Sequence, residues 1–153
     1  MSEIERIRDQ LKRSHQGETW HGPSVREVLD GISAERAAAR SLGEAHTIWE
    51  LVLHMVAWTE VARRRLEGER IDSLPDEEDF PQVVDPGEEA WKQALAQLDD
   101  AHAQLDATLS RFEESRLDDP VPLRDDSYYT MLHGLVQHNA YHAGQIVLLG
   151  KVT

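Results

Sequence analysis

The 153-residue sequence contains no cysteine. Disulfides, thiolate metal sites and a cysteine nucleophile from the protein itself are therefore excluded. Basic residues are also scarce: 16 lysines and arginines face 29 aspartates and glutamates, a formal net charge of -13. A field of that sign repels phosphate backbones and anionic lipid, so neither nucleic acid nor a membrane is an expected partner. No apolar run approaches the ~20 residues that span a bilayer. The first ten residues, MSEIERIRDQ, lack the apolar core of a secretion signal, and a cytoplasmic location is the expectation. Strand signals are missing as well. No hairpin dipeptide joins two alternating runs, and β-branched residues do not cluster.

What is present is helical periodicity, with clear starts and stops. Ser2 with Glu5 fits a capping box ahead of Ile4, Ile7 and Leu11, and Gly17 ends that run. Thr47 with Glu50 is a second box, followed by the stripe Leu51, His54, Trp58 and Val61 to about Gly68. Asp85-Pro86-Gly87-Glu88 supplies an acidic N-cap, proline at the first helical position and glutamate at the third. Behind it Trp91, Leu95, Leu98, Leu105, Leu109 and Phe112 keep a 3-4 spacing. A last helix opens around Asp125-Asp126-Ser127 and closes at Gly150, with Leu135, His138, His142 and Leu149 on one face. Three connections join them: residues 17–46, with the short helical piece SVREVLDGI; the acidic 68–85; and 113–125. The second is long enough to run the length of a bundle, so the second and third helices can be parallel. The expectation is an all-α, single-domain four-helix bundle with a crossover between helices two and three.

His138 and His142 are four apart on an apolar stripe, which places two imidazoles on one helix face. From the pair alone, core packing and metal binding are equally open. Their position favours a metal, because two neutral rings with no shared partner each bury a costly polar nitrogen. His54 repeats the pattern in LVLHMVAW, and one cation satisfies all three rings together. The other five histidines, His15, His21, His46, His102 and His133, are expected at surface or boundary positions. Asn139 stands where the zinc-protease pattern HExxH needs its glutamate, so that reaction is disfavoured. Glu50 is read as a cap rather than a carboxylate supporting His54. Tyr141 and Gln145 flank the pair without a role the sequence decides.

The stretches WHGPSVREVLDGISAERAAAR, HTIWELVLHMVAWTEVARRRLEG and MLHGLVQHNAYHAGQIVLLGK together resemble the DinB-like proteins over nearly the whole chain. The resemblance implies an up-down-down-up four-helix bundle, commonly dimeric. It also implies one divalent metal on a histidine of the second helix and two of the last, here His54, His138 and His142. Nickel or zinc is the first expectation for that ion, with iron or manganese behind. Some relatives are similar to thiol transferases or isomerases that use bacillithiol or mycothiol. The implied function is metal-dependent transfer involving a low-molecular-weight thiol, with a non-catalytic ligand-binding module and a metal-dependent hydrolase as alternatives. Counting places His54 seven residues after Thr47 and His142 seven before Leu149, each roughly 10 Å from its helix end. If those helices are antiparallel the two histidines meet at one level. The pocket is then expected to open towards the end covered by residues 17–46, with Trp20 and His21 in its lining, and His102 and His133 are not expected as ligands.

Overall fold

Ser2 caps helix α1 (Glu3–Gln16): its hydroxyl accepts from Glu5 N–H while the Glu5 carboxylate accepts from Ser2 N–H. The computed structural model describes residues 1–153, and every element in it is helical. Short helices α2 (Val25–Leu29) and α3 (Ala34–Ala38) follow. Thr47 and Glu50 form the same reciprocal cap on α4 (Ile48–Leu66). After a one-turn α5 (Asp76–Asp79) come α6 (Glu88–Leu109), a 3-10 turn at Glu114–Arg116 and α7 (Tyr128–Gly150), whose N-cap is Ser127.

One start differs from expectation. The Asp85 carboxylate accepts from Gly87 N–H at 2.9 Å, closing a small turn before the helix, and Gly87 rather than Asp85 is the N-cap of α6. The short helix α3 in the alanine-rich run and α5 in the acidic connection also lie outside the expected elements.

Two buried clusters make the core. One joins Val25, Leu29, Ala34 and Ala37 to Ile48, Val52 and Met55 of α4, Trp91 and Leu98 of α6, and Ile146 and Leu149 of α7. The other joins Ile4, Ile7 and Leu11 of α1 to Ala62 and Leu66, Leu105 and Leu109, and Leu132 and Leu135. Residues early in α4 thus share a cluster with residues late in α7, and late with early. His138 and His142 fall in sequence between Leu135 of the second cluster and Ala143 of the first. The histidines occupy the junction of the two apolar layers.

This packing overturns the expected opening. The connection 17–46 folds α2 and α3 into the end of the core, where Trp91 Nε1–H donates to Ile32 O at 2.7 Å and the Arg36 guanidinium to Gly150 O at 2.8 Å. That end is filled by apolar side chains. Trp20 is fully exposed, and with His21 it lines a surface depression beside Asp9, Arg13 and Val136, away from the three histidines.

Candidate metal centre

The structure brings His54 of α4 together with His138 and His142 of α7. His138 Nε2 lies 3.0 Å from His54 Nε2 and 3.0 Å from His142 Nε2, and one ligand atom from each ring falls within 4.8 Å of the others. Two nitrogens held by one cation at about 2.0–2.1 Å stand roughly 3.0–3.4 Å apart, so the two 3.0 Å spacings suit donors to a shared ion.

The outer nitrogens decide what the inner ones carry. His54 Nδ1 sits 2.9 Å from Asp79 O and 3.0 Å from Asp79 Oδ1, and both oxygens only accept, so the ring proton is on Nδ1. His142 Nδ1 lies 2.6 Å from Gln145 Oε1 and donates to it. In the neutral form each of these rings turns its Nε2 lone pair towards His138 Nε2. A neutral His138 has one proton, and from Nε2 it satisfies only one neighbour, while its buried Nδ1 has no partner. At least one 3.0 Å contact then sets lone pair against lone pair. Protonating a ring would relieve this, but burial first, and the neighbouring histidines second, hold His138 down to about 3. Burial likewise pulls the His142 pKa below its ordinary value, against the Gln145 hydrogen bond. Three ring nitrogens facing one point are placed as donors to a single cation.

Asp79 and Phe80 fix the His54 ring from the crossover. Asp79 Oδ1 also accepts from Trp58 Nε1–H at 2.6 Å. The Phe80 ring stacks on His54 at 4.1 Å and on His46 at 3.7 Å. Sequence reasoning missed Asp79, which stands 25 residues from its histidine. The lone aromatic of that acidic stretch, Phe80 in DEEDFPQ, was the available hint. Gln145 orients His142, whereas Tyr141 is 65% exposed and only edges the His142 ring. Glu50 serves its cap and pairs with Arg40 and His46. Asn139 turns to α1 and donates to Ser14 Oγ.

The remaining histidines divide. His46 is exposed, as expected, and His102 and His133 stay out of the cluster. His15 and His102, expected near the surface, are instead 2% and 8% exposed and stack at 4.0 Å between α1 and α6. On the open side of the cluster, His138 lines a groove of about 160 Å³ between α4 and α7.

No helix is long and apolar enough to cross a membrane. No curated protein and no solved structure matches the chain. The family model of the DinB superfamily does match, over residues 19–146. That span takes in all three converging histidines and the Asp79 and Gln145 side chains that orient two of them, and the chain belongs to the DinB superfamily.

Proposed function

We propose that His54, His138 and His142 bind one divalent cation, nickel or zinc ahead of iron or manganese, and that the protein is a metal-dependent transferase acting with a low-molecular-weight thiol. The convergence of three histidine Nε2 atoms carries the reading. Neutral imidazoles leave a cation its full charge, and three of them leave coordination positions free, as in catalytic rather than closed structural sites. A divalent ion held there lowers the pKa of a thiol or water that reaches it, supplying a nucleophile near neutral pH. The chain's own part is positional. Asp79 and Gln145 hold two rings in the tautomer that offers Nε2, and Phe80 covers His54. The groove beside His138 gives the second reactant room. With no cysteine in the protein, the thiol enters as a cosubstrate.

Cobalt-substituted protein tests the thiol. Adding N-acetylcysteine is expected to change its near-ultraviolet and visible absorption, while N-acetylserine leaves it unaltered. Equal responses to the two would remove the thiol reading and leave the metal site. Asp79→Ala is expected to weaken metal binding about tenfold, the low end of the 10–100-fold typical of groups that orient a ligand, because the Asp79 carbonyl still accepts from His54. Asp79→Asn should lose less. A chelator competition assay that ranks Asn below Ala would contradict this role.

The same proposal takes the four long helices as an up-down-down-up bundle with its crossover between α4 and α6. Support comes from the pairing of early α4 with early α6 and late α7 in one cluster. Along α1, Ile4 N–H meets the Glu114 carboxylate, Arg8 meets Asp106, and His15 meets Asp99. A homodimer belongs to this reading, with Tyr141, Gly144 and Leu148 as an outward strip on α7. Light scattering at micromolar concentration should give twice the 17.4 kDa chain mass; a single-chain mass alone would overturn the dimer.

A further inference from the structure

Arg63, Arg64 and Arg65 follow one another on α4, and they are not equivalent. Arg63 pairs with Glu60 and Glu67, and Arg64 with Glu69. Arg65 is only 6% exposed and pairs with no carboxylate. Its Nε and Nη2 donate to the carbonyls of Ile71 and Asp72, at 2.9 and 2.8 Å, and Nη1 makes no hydrogen bond. Burial first, and the nearby Arg124 second, pull its pKa down, against the opposing pull of Asp72 and Asp126. Arg65 is the one charged residue lining the groove that His138 also lines.

Gly134 is the second observation. It lies inside α7, where glycine is less favourable than alanine. A Cβ added there would meet nothing within 4 Å, so the protein's own packing does not require glycine. A side chain at this position would enter the groove. The walls around it are apolar, from Trp58, Val61 and Met131. The volume of about 160 Å³ is near that of the ~150 Å³ cavity that takes a benzene molecule.

We propose that this groove binds a small organic carboxylate bearing one apolar group the size of a phenyl ring, with the carboxylate on Arg65 and the ring against Trp58 and Met131, beside His138. Its catalytic meaning, as the site of the electrophilic reactant, rests on the transferase reading; the binding does not require the metal. A guanidinium with a free edge recognises a planar carboxylate by paired N–H donors. In a molecule of net charge -13, an unpaired cation in the lining selects an anion the rest of the surface repels.

Phenylacetate and phenylacetamide are the probes, titrated into the full-length ¹⁵N-labelled chain in EDTA. Phenylacetate is expected to shift the amide signals of residues 131–135 saturably, and phenylacetamide to bind about tenfold more weakly or worse, the scale of a hydrogen bond to a charged group. Gly134→Leu should abolish both. Arg65→Met should bring phenylacetate down to the level of phenylacetamide and leave the amide's Kd unchanged. Equal affinity for the two probes, or undiminished phenylacetate binding in Gly134→Leu, would overturn the proposal. Should Arg65→Met unfold by losing the Ile71 and Asp72 contacts, the probe comparison and Gly134→Leu still decide. Cobalt titration separates the two readings: phenylacetate binding without cobalt uptake keeps the groove and removes the metal site, and cobalt uptake without phenylacetate binding overturns the groove alone.

Discussion

His142→Ala is expected to lower divalent-metal affinity by more than a hundredfold, and protein purified after metal loading and dialysis should come off nearly metal-free. Groups that only orient a ligand cost about 10–100-fold when removed, and His142 is a donor itself. Its Nε2 stands 3.0 Å from His138 Nε2 with the Nδ1 proton committed to Gln145. Its loss leaves two donors on different helices. The effect also reads out as stability. An ion that binds only the folded chain adds about 2.7 kcal/mol at a hundred times its Kd, so the melting temperature of the unaltered protein should rise with added metal and that of His142→Ala should not. His142 is 5% exposed, and its removal leaves a void, so circular dichroism of the metal-free variant must first show a folded helical chain. His138→Ala, at a less buried position, repeats the test at lower structural cost, and His133→Ala should keep its metal. Full metal content in a folded His142→Ala protein would refute the assignment.

How much of this was legible in the sequence depends on the range of the interaction. Ser2 with Glu5, and Thr47 with Glu50, are complete within one helical turn, and both caps form as read. The faces that carry His54, His138 and His142 follow from helical spacing alone, and the structure joins them because the 3-4 stripes of α4 and α7 pack on each other. Asp85 was misread because its carboxylate has two local uses, capping a helix or closing a turn on Gly87. The conformation of a Pro-Gly pair chooses between them.

Longer-range contacts left no trace of that kind. Asp79 sits in a run of four acidic residues, any of which fits a solvated connection, and only the path of the crossover aims it at His54 Nδ1. The sequence places the pocket opening at the end that residues 17–46 cover. Their apolar positions, Val25, Leu29, Ala34 and Ala37, instead complete the core, and it is the groove at Gly134 that His138 lines. A glycine inside a helical pattern gives no sign of whether it makes room for another helix or for a ligand. His15 ends α1 in a polar stretch, KRSHQG, and reads as surface. It is buried because α6 brings Asp99, 84 residues away, to its ring.

From that burial the stability of the protein is expected to fall steeply in mild acid. His15 and His102 stack at 4.0 Å with an 11° interplanar angle, and His15 Nδ1 and His102 Nε2 have no hydrogen-bond partner. Burial, with the neighbouring His15 second, holds His102 down to about 3. Burial, with Arg26 second, holds His15 down to about 4. Asp99 Oδ1, 2.9 Å from His15 Nε2, favours the protonated ring, but it is shared with Arg26 at 3.2 Å and is half-exposed, so desolvation wins. Above the unfolded value of about 6.5 both states are neutral and neither histidine affects stability. Between about 6.5 and 4 the unfolded chain takes up protons that the folded chain refuses, so stability drops as pH falls. The slope is about 1.4 kcal/mol per pH unit for each group. By pH 4 His102 alone removes on the order of 3 kcal/mol, a large share of the 5–15 kcal/mol typical of a folded domain. Carboxylates titrate over the same range, so the decisive quantity is a difference between variants. His102→Phe keeps a flat ring against His15, with the neighbouring cavity of about 440 Å³ to take the extra volume. Urea unfolding in EDTA should show a smaller loss of stability from pH 7.5 to 4.5 in His102→Phe than in the unaltered protein, by about 2–3 kcal/mol. Equal losses in the two would mean that His102 is not held neutral by its burial.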